Sequence, residues 1–446
     1  MISNWTTYKI EDIAEKISIG PFGSRMKSNA YVKNGVPVIR GTNLTGGKRF
    51  SGDWVFISED LAEQLENCCV SNGDLVFPHR GAIGEVGLVD DIFPKYIMSS
   101  SLMKLRCNPN LADSEFIYYF FKSNQGKHEL LKNASQVGTP GIGQPLSSLK
   151  SIEITLPSLS QQKKIAKILS NLDKKIHLNN QINQTLESIA QAIFKSWFVE
   201  FEPVLAKIAA KQEDKDPELA AMCAISGKSE AELQQMAEED FAELKAIAVL
   251  FPDELVDSEL GELPKGWSIG KVDDILNRIR IKKRFKKKDV NEFGRTFVLE
   301  QGSNIILGFH NDEGSIPASK EEPAFIFGDH TCITKLMLSN FDVSENVIAI
   351  IGKERNSYWT YYAIKDLQKF QEYRRHWMEL VSKQIVIADI NLTDYFAKKV
   401  KTLHEAIENF VHENLVLINL RDTLLPKLLS GELNVSMLED IEHGIS

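Results

Sequence analysis

The sequence lacks a Cys-x-x-Cys pair: its five cysteines (Cys68, Cys69, Cys107, Cys223, Cys332) are scattered through 446 residues. Such spacing supports neither a disulfide framework nor a zinc site, and reduced thiols in a cytoplasmic protein are expected. Long apolar runs are missing too. The longest purely aliphatic stretch, Val347–Ile351, falls far short of the ~20 residues a membrane helix needs. Met1–Ile10 is polar and aromatic rather than basic then apolar, so neither a secretory leader nor a membrane partner is expected. Motifs for bond chemistry are equally scarce. A methyltransferase acting on adenine or cytosine would carry a glycine-rich cofactor loop and an Asn/Asp-Pro-Pro-aromatic motif, and neither is present. Gly227-Lys228-Ser229 has Met222 where a phosphate loop needs its first glycine. Gly138-Thr-Pro-Gly141-Ile-Gly143 is interrupted by proline and reads as a turn. The nine histidines form no His-Glu-x-x-His or other metal spacing. These absences point to a non-catalytic recognition subunit that binds no cofactor or metal.

What the chain does contain is one plan written twice. Trp5, Lys9, Asp12 and Ile13 recur at the same spacing as Trp267, Lys271, Asp274 and Ile275. Further on, Ile165, Ile168, Leu172, Ile182, Ile189 and Ile193 overlay Val400, Leu403, Ile407, Leu417, Leu424 and Leu428. Asn179 then falls on Asn414, and His177 on His412. A globular module followed by a long helix, repeated, gives approximate two-fold symmetry within one polypeptide. A two-fold or bipartite ligand suits such a molecule, and duplex DNA is the commonest example.

The net charge of −9 hides an uneven distribution. Between Phe201 and Glu262 there are 16 acidic and 5 basic residues, a local charge of −11 that leaves +2 for the rest. Arg278–Lys288 (RIRIKKRFKKK) holds eight basic residues in eleven and no acid. Phosphate contacts act within a Debye length of ~10 Å, so local patches rather than the overall charge decide polyanion binding.

The periodicities predict an α+β protein of two α/β modules and two long coiled-coil helices, with a pseudo-two-fold internal repeat; the resemblance described below implies that these are two target-recognition domains separated by two long antiparallel coiled-coil helices. Residues 1–157 form the first globular module, with short strands such as Val36–Ile39 and Asp74–Phe77 and one helix over Ser114–Lys132. Spacer helix 1 covers 158–200, opened by a capping box of Ser158 and Gln161. Residues 201–262 are an acidic helical connector, 263–396 the second module with a polar helix over Leu367–Leu380, 397–433 spacer helix 2, and 434–446 a tail. The predicted seam of the first spacer helix is Ile165, Ile168, Leu172, Lys175, Asn179, Ile182, Leu186, Ile189 and Ile193. That of the second is Val400, Leu403, Ile407, Phe410, Asn414, Leu417, Arg421, Leu424 and Leu428. Each seam would be wet in isolation, so the helices are expected to bury them against each other as a rod of roughly 50 Å. Polar seam residues such as Asn179 and Asn414 lower stability but fix register.

Several segments together resemble the specificity subunit of type I restriction–modification systems. They are Gly20-Pro-Phe-Gly-Ser24, Gly35–Gly41, Gly73–Phe77 with Arg80-Gly81, the Leu156-Pro157 to Ala166 junction, and Ala192–Phe198. The second half adds Asp257–Gly261 with Pro264–Trp267, Phe327–Thr331, Tyr373–His376 and Leu420–Leu433. The resemblance covers nearly the whole chain in order; the acidic connector, longer than usual, and Val290–Phe309 depart from it. It implies that each module is a target-recognition domain reading one half of a bipartite double-stranded DNA site and that the helices form an antiparallel spacer and dock two modification (methyltransferase) subunits. S-adenosylmethionine would belong to those subunits, and ATP and Mg to separate restriction/motor subunits.

Base readout then falls to polar and basic side chains on loops. In the first module the candidates are Arg25, Lys27, Arg40, Asn43, Lys48, Arg49, His79 and Arg80. In the second they are Lys282, Arg284, Lys286, Lys287, Lys288, His330, Lys353, Arg355, Asn356 and Arg374. A reading of a different class is a protein–protein scaffold that assembles through its coiled coil and binds no DNA; a gel shift separates the two.

Overall fold

The computed structural model describes residues 5–21, 26, 28–44, 50–135, 139–302, 304–372 and 374–435. The chain divides into two compact units: 1–177 with 416–446, and 178–415.

In the first unit the chain enters on Thr6–Lys9, which pairs antiparallel with Glu153–Leu156, the last strand before the first long helix. Between them lie two four-stranded sheets. One runs in the order Ala14–Ile19, Leu102–Cys107, Leu75–Pro78, Gly87–Leu88. The other runs Val55–Ile57, Val36–Ile39, Tyr96–Met98, Cys69–Val70, with Val36–Ile39 parallel to Tyr96–Met98.

The second unit repeats this plan. Ser268–Lys271 pairs antiparallel with Gln384–Ile387, the last strand before the second long helix. A four-stranded sheet runs Leu276–Arg278, Val347–Gly352, Ala324–Gly328, Thr334–Met337. A three-stranded sheet runs Ile306–His310, Thr296–Leu299, Asp342–Val343, with its parallel pairing between the last two. Strand order, direction and the one parallel pair per module all correspond. The sequence echo has a local cause: the Lys9 amide donates to Asp12 Oδ2 at 3.0 Å and the Lys271 amide to Asp274 Oδ2 at 2.7 Å. Each aspartate closes a 3-10 turn behind the entering strand, and the turn buries Ile13 and Ile275 in their cores.

The first long helix spans Leu159–Phe198. The Ser158 hydroxyl accepts the Gln161 amide at 3.4 Å, and buried Gln162 bonds Leu111, Asp113 and Pro157 through its side chain. The second spans Ile390–Leu429, beginning seven residues before the expected start at 397. Asp389 accepts the Asn391 amide at 2.8 Å there, and Leu392 and Phe396 face the module core. The helices run antiparallel within each unit. In the first, Arg421 donates to Asp173 at 2.8 Å, and Ile165 and Leu169 share a core with Leu425 and Leu428. In the second, Asn179 donates to Asn414 at 2.9 Å, while Ala190 and Val400 share a core.

The expected seams are buried or half-buried except at Lys175 and Ile189. Ile165, Leu172, Asn179, Leu186, Ile193, Val400, Ile407, Asn414, Arg421 and Leu428 are buried or half-buried as expected. In the alternate column Ile168, Ile182, Leu403, Phe410, Leu417 and Leu424 are half-buried, and the deepest burial falls one residue on. Leu169, Ala190, His404 and Leu425 are buried, whereas Lys175 and Ile189 are exposed.

The helix expected over Ser114–Lys132 is two, Ser114–Lys122 and Asn124–Leu131. Extended Ser123 breaks it, and its hydroxyl caps the second piece by accepting the Gly126 amide at 3.2 Å. The polar helix expected over Leu367–Leu380 is absent. Helices occupy Ser357–Ile364 and Trp377–Ser382, with Asp366 in the left-handed region (φ 61°) just beyond the first. The connector is more than a linker. Helices Glu202–Gln212, Pro217–Ser226, Glu230–Leu233 and Glu238–Leu250 enclose a small core of Ala221, Met222, Leu233, Leu244 and Ala248. A hairpin of Leu255–Ser258 and Gly261–Pro264 ends it. Gly227-Lys228-Ser229 is a helix stop and start: Gly227 (φ 67°) ends one helix, and Ser229 with Glu232 forms a capping box for the next.

Candidate nucleic-acid interface

Some candidates of the two halves fall on corresponding places of the two modules. The basic run follows Leu276–Arg278, the counterpart of Ala14–Ile19. His79 and Arg80 follow Leu75–Pro78, and His330 follows the equivalent strand Ala324–Gly328 by one residue. Arg40, Asn43, Lys48 and Arg49 follow Val36–Ile39. Arg25, Lys27, Lys48 and Arg49 lie outside the described residues.

Several candidates hold the fold together instead of facing a ligand. Asn43 is fully buried: Oδ1 accepts the Arg40 amide at 3.0 Å, and Nδ2 donates to the carbonyls of Ser51 and Asp53 at 2.9 and 3.3 Å. Arg40 donates to the Asp53 carbonyl at 2.5 Å. His79 is buried with Nε2 3.1 Å from the Ser100 carbonyl, and burial lowers its pKa, favouring the neutral ring. Asn356 caps the helix Ser357–Ile364 by accepting the Tyr358 amide at 2.9 Å. Arg355 donates to the Ala388 carbonyl at 2.8 Å and lies 5.7 Å from the Trp359 ring. Arg374 is exposed but engaged by Gln371, Glu372 and Glu379. Except at Arg374, whose partners are surface side chains, the polar group meets a partner that the backbone supplies. Arg80 is exposed on the turn that bridges to Gly141, and Lys353 is exposed beside Gly352. The His330 amide donates to Gln301 Oε1 at 2.9 Å, fixing that loop.

The basic run is pinned at two points and open elsewhere. Phe285 is buried and stacks on His310, centroids 4.8 Å apart and planes at 1°. Arg284 donates to the carbonyls of Ser344 and Val347 at 2.6 and 2.9 Å. Lys283 Nζ lies 4.3 Å from the Phe285 ring centroid. Arg280, Lys282, Lys283, Lys286, Lys287 and Lys288 are left exposed. Among the described residues the side chains of the last three make only loose contacts, Lys286 3.7 Å from Glu345 and Lys287 3.3 Å from the Leu307 carbonyl. Anchoring by Phe285 and Arg284 holds a row of ammonium groups toward solvent, the arrangement that phosphate contacts need.

Beside this run is a cleft of about 540 Å³ whose lining includes Arg278, Arg284, Asp329, Glu345, Arg375 and Trp377. Arg278, Arg375 and Trp377 were not among the candidates. The signal for the first was its place at the head of the basic run, and for Arg375 the second arginine of Tyr373–His376. No group of three metal-ligating side chains occurs among the described residues, and none of their helices is long and apolar enough to cross a membrane.

Residues 2–188 match the family model described as the type I restriction modification DNA specificity domain. The HindI specificity subunit of a type I restriction enzyme from Haemophilus influenzae is 29% identical over 97% of this chain and 100% of its own. The MjaIX specificity subunit from Methanocaldococcus jannaschii is 26% identical over 98% of this chain and 95% of its own. A crystal structure of a type I restriction–modification S subunit from M. genitalium superposes with a TM-score of 0.53 at 17% identity, covering 95% of this chain and 96% of that one, and so shares the fold. Residues 2–188 thus match the DNA specificity domain of type I restriction–modification systems, and the chain is similar along nearly its whole length to specificity subunits of such systems.

Proposed function

We propose that the chain is the sequence-specificity subunit of a type I restriction–modification complex and that each module reads one half of a bipartite duplex site. The observation that carries this is the duplication itself: two modules of the same strand order, each closed by an antiparallel strand pair and followed by a 40-residue helix. Two similar readers on one chain suit two half-sites. The exposed basic run supplies sequence-independent phosphate affinity, and loops at equivalent places of each module supply readout.

The long helices also carry apolar side chains that face solvent: Leu178 and Ile189 in the second unit, Val416 and Leu420 in the first. These are surfaces for two methyltransferase subunits, which would bring S-adenosylmethionine and, with motor subunits, ATP and Mg. The chain itself would contribute recognition and no bond chemistry. The test is to co-purify it with its modification subunit and select duplex DNA from a random library. A motif of two fixed half-sites with an unread spacer is expected; no retained DNA, with assembly intact, would favour the scaffold reading.

A further inference from the structure

We infer that the arginine cleft of the second unit reads one G·C base pair, with Arg278 and Arg375 donating to the guanine edge and Glu345 accepting from the cytosine amino group. This rests on the proposed DNA-recognition role and names what that site reads.

The cleft has a rigid floor. Asp329 Oδ1 accepts the backbone amides of His376 and Trp377 at 3.1 and 3.0 Å, and the Asp329 amide donates to the Asn346 carbonyl at 2.9 Å. Arg284 ties the same turn from the other side through Ser344 and Val347. Asp329 and Arg284 are therefore positioning residues. Onto this floor open two guanidiniums. Arg278 is exposed at the end of Leu276–Arg278, and its guanidinium makes no hydrogen bond or ion pair among the described residues. It lies 6.0 Å from the centroid of Trp377, a contact that limits its freedom before any ligand arrives. Arg375 is 79% exposed, with Nε 3.8 Å from Asp329 Oδ2.

Charge decides between a phosphate and a base edge. A phosphate here would face the carboxylates of Asp329 and Glu345 as well as the arginines, whereas the neighbouring Lys282, Lys283, Lys287 and Lys288 form no ion pair with an acid among the described residues. A base pair presents donors and acceptors together. Guanine offers N7 and O6 to a guanidinium fork, and its cytosine partner offers an amino group to a carboxylate. A cleft holding both arginine donors and carboxylate acceptors fits that mixed edge and no uniformly anionic group.

The test uses the complete complex with its modification subunits. Wild type, Arg278→Ala, Arg278→Lys and Arg375→Ala each select from a randomised duplex library, and the salt dependence of binding is measured on the selected site. The wild type is expected to fix a G·C pair in one half-site. Both alanine variants should make that single position degenerate, losing about tenfold to a hundredfold discrimination there. The other half-site and the salt slope should stay unchanged, and Arg278→Lys should keep part of the preference. Because Arg278 is exposed and unpaired among the described residues, its variants should unfold at the wild-type temperature. A half-site without G·C, or variants with an unaltered motif, would overturn the inference. So would weakening of all sequences alike with the salt slope reduced by about 0.9, the mark of a phosphate contact. In these cases the recognition role itself would stand, since the wild type still selects a motif; a wild-type complex that selects none removes both.

Discussion

At the scale of single residues, two buried polar groups set expectations that apolar packing alone would not. Asn179 donates to Asn414 Oδ1 and to Glu413 Oε2, and Asn414 donates to Asn180 Oδ1 at 2.9 Å. Replacing Asn179 alone by Ala strands its partner and should cost about 1–3 kcal/mol in urea unfolding. Replacing both asparagines by Leu should recover or raise stability while loosening register, seen as heterogeneous assembly with the modification subunit. His404 sets the second. It is buried, with Nε2 2.8 Å from the Tyr362 hydroxyl and 4.0 Å from Glu187, while Lys335 and Lys365 stand nearby. Burial pushes its pKa down from 6.5 to about 4 despite Glu187. A base depressed in the folded state binds protons better when unfolded. Its contribution is therefore full above pH 6.5 and is lost as pH falls toward 4. Between pH 7.5 and 5.0 the wild type should lose about 2 kcal/mol more than His404→Phe does. Equal losses in the two proteins would show that this ring does not carry the pH dependence. The seam asparagines are legible in the sequence as matching polar positions in two apolar columns. The role of His404 is not, because a histidine on a long helix reads as solvated and only its buried surroundings distinguish it.

At the scale of elements, the basic run lends itself to a direct test. Lys286, Lys287 and Lys288 are exposed and outside every core, so replacing all three by Ala should leave the unfolding temperature unchanged. DNA binding should weaken for every sequence, and the salt slope should flatten by up to about 0.9 for each phosphate no longer neutralised. An unchanged slope would exclude the run from the interface. The elements also show where sequence reasoning worked and where it stopped. Trp-Lys-Asp-Ile was legible because a short-range turn requires it, with the aspartate bonding an amide three residues back. The column Ile165, Leu172, Asn179 was legible because it repeats every seven residues. Its companion is less sharp because Ile168 and Leu169 are both apolar, and packing on the module core buries Leu169 fully and Ile168 in part. Ala190 hid for the same reason, a small residue that suits either face. The helix Ser357–Ile364 was missed because nearly all its residues are buried, leaving no polar face and no 3.6-residue period to detect. Asn43 and His79 were misjudged because loop polarity looks the same in sequence whether it faces DNA or satisfies a buried carbonyl.

At the scale of the whole molecule, each long helix contributes residues to both units, so its length is the natural candidate for the spacer of the bipartite site. One heptad added after Asn183 and another after Asn409, opposite positions in the observed register, should lengthen the pair by about 10 Å, or roughly three base pairs. Both half-sites should persist at the wider spacing when methylated positions are mapped. An unchanged spacer would show that the helices are not the ruler, and insertion in one helix alone should abolish assembly. Beyond distance, the way each module closes has a consequence for heredity. Thr6–Lys9 lies alongside Glu153–Leu156, and Ser268–Lys271 alongside Gln384–Ile387, so each module leaves its two-stranded base where it entered. Everything between is a side loop off the main path of the chain. A gene exchanging the DNA between those two strands would hand on a whole reading head with its frame and helices intact. Such a lineage can change half of its vocabulary in one recombination while keeping the other half.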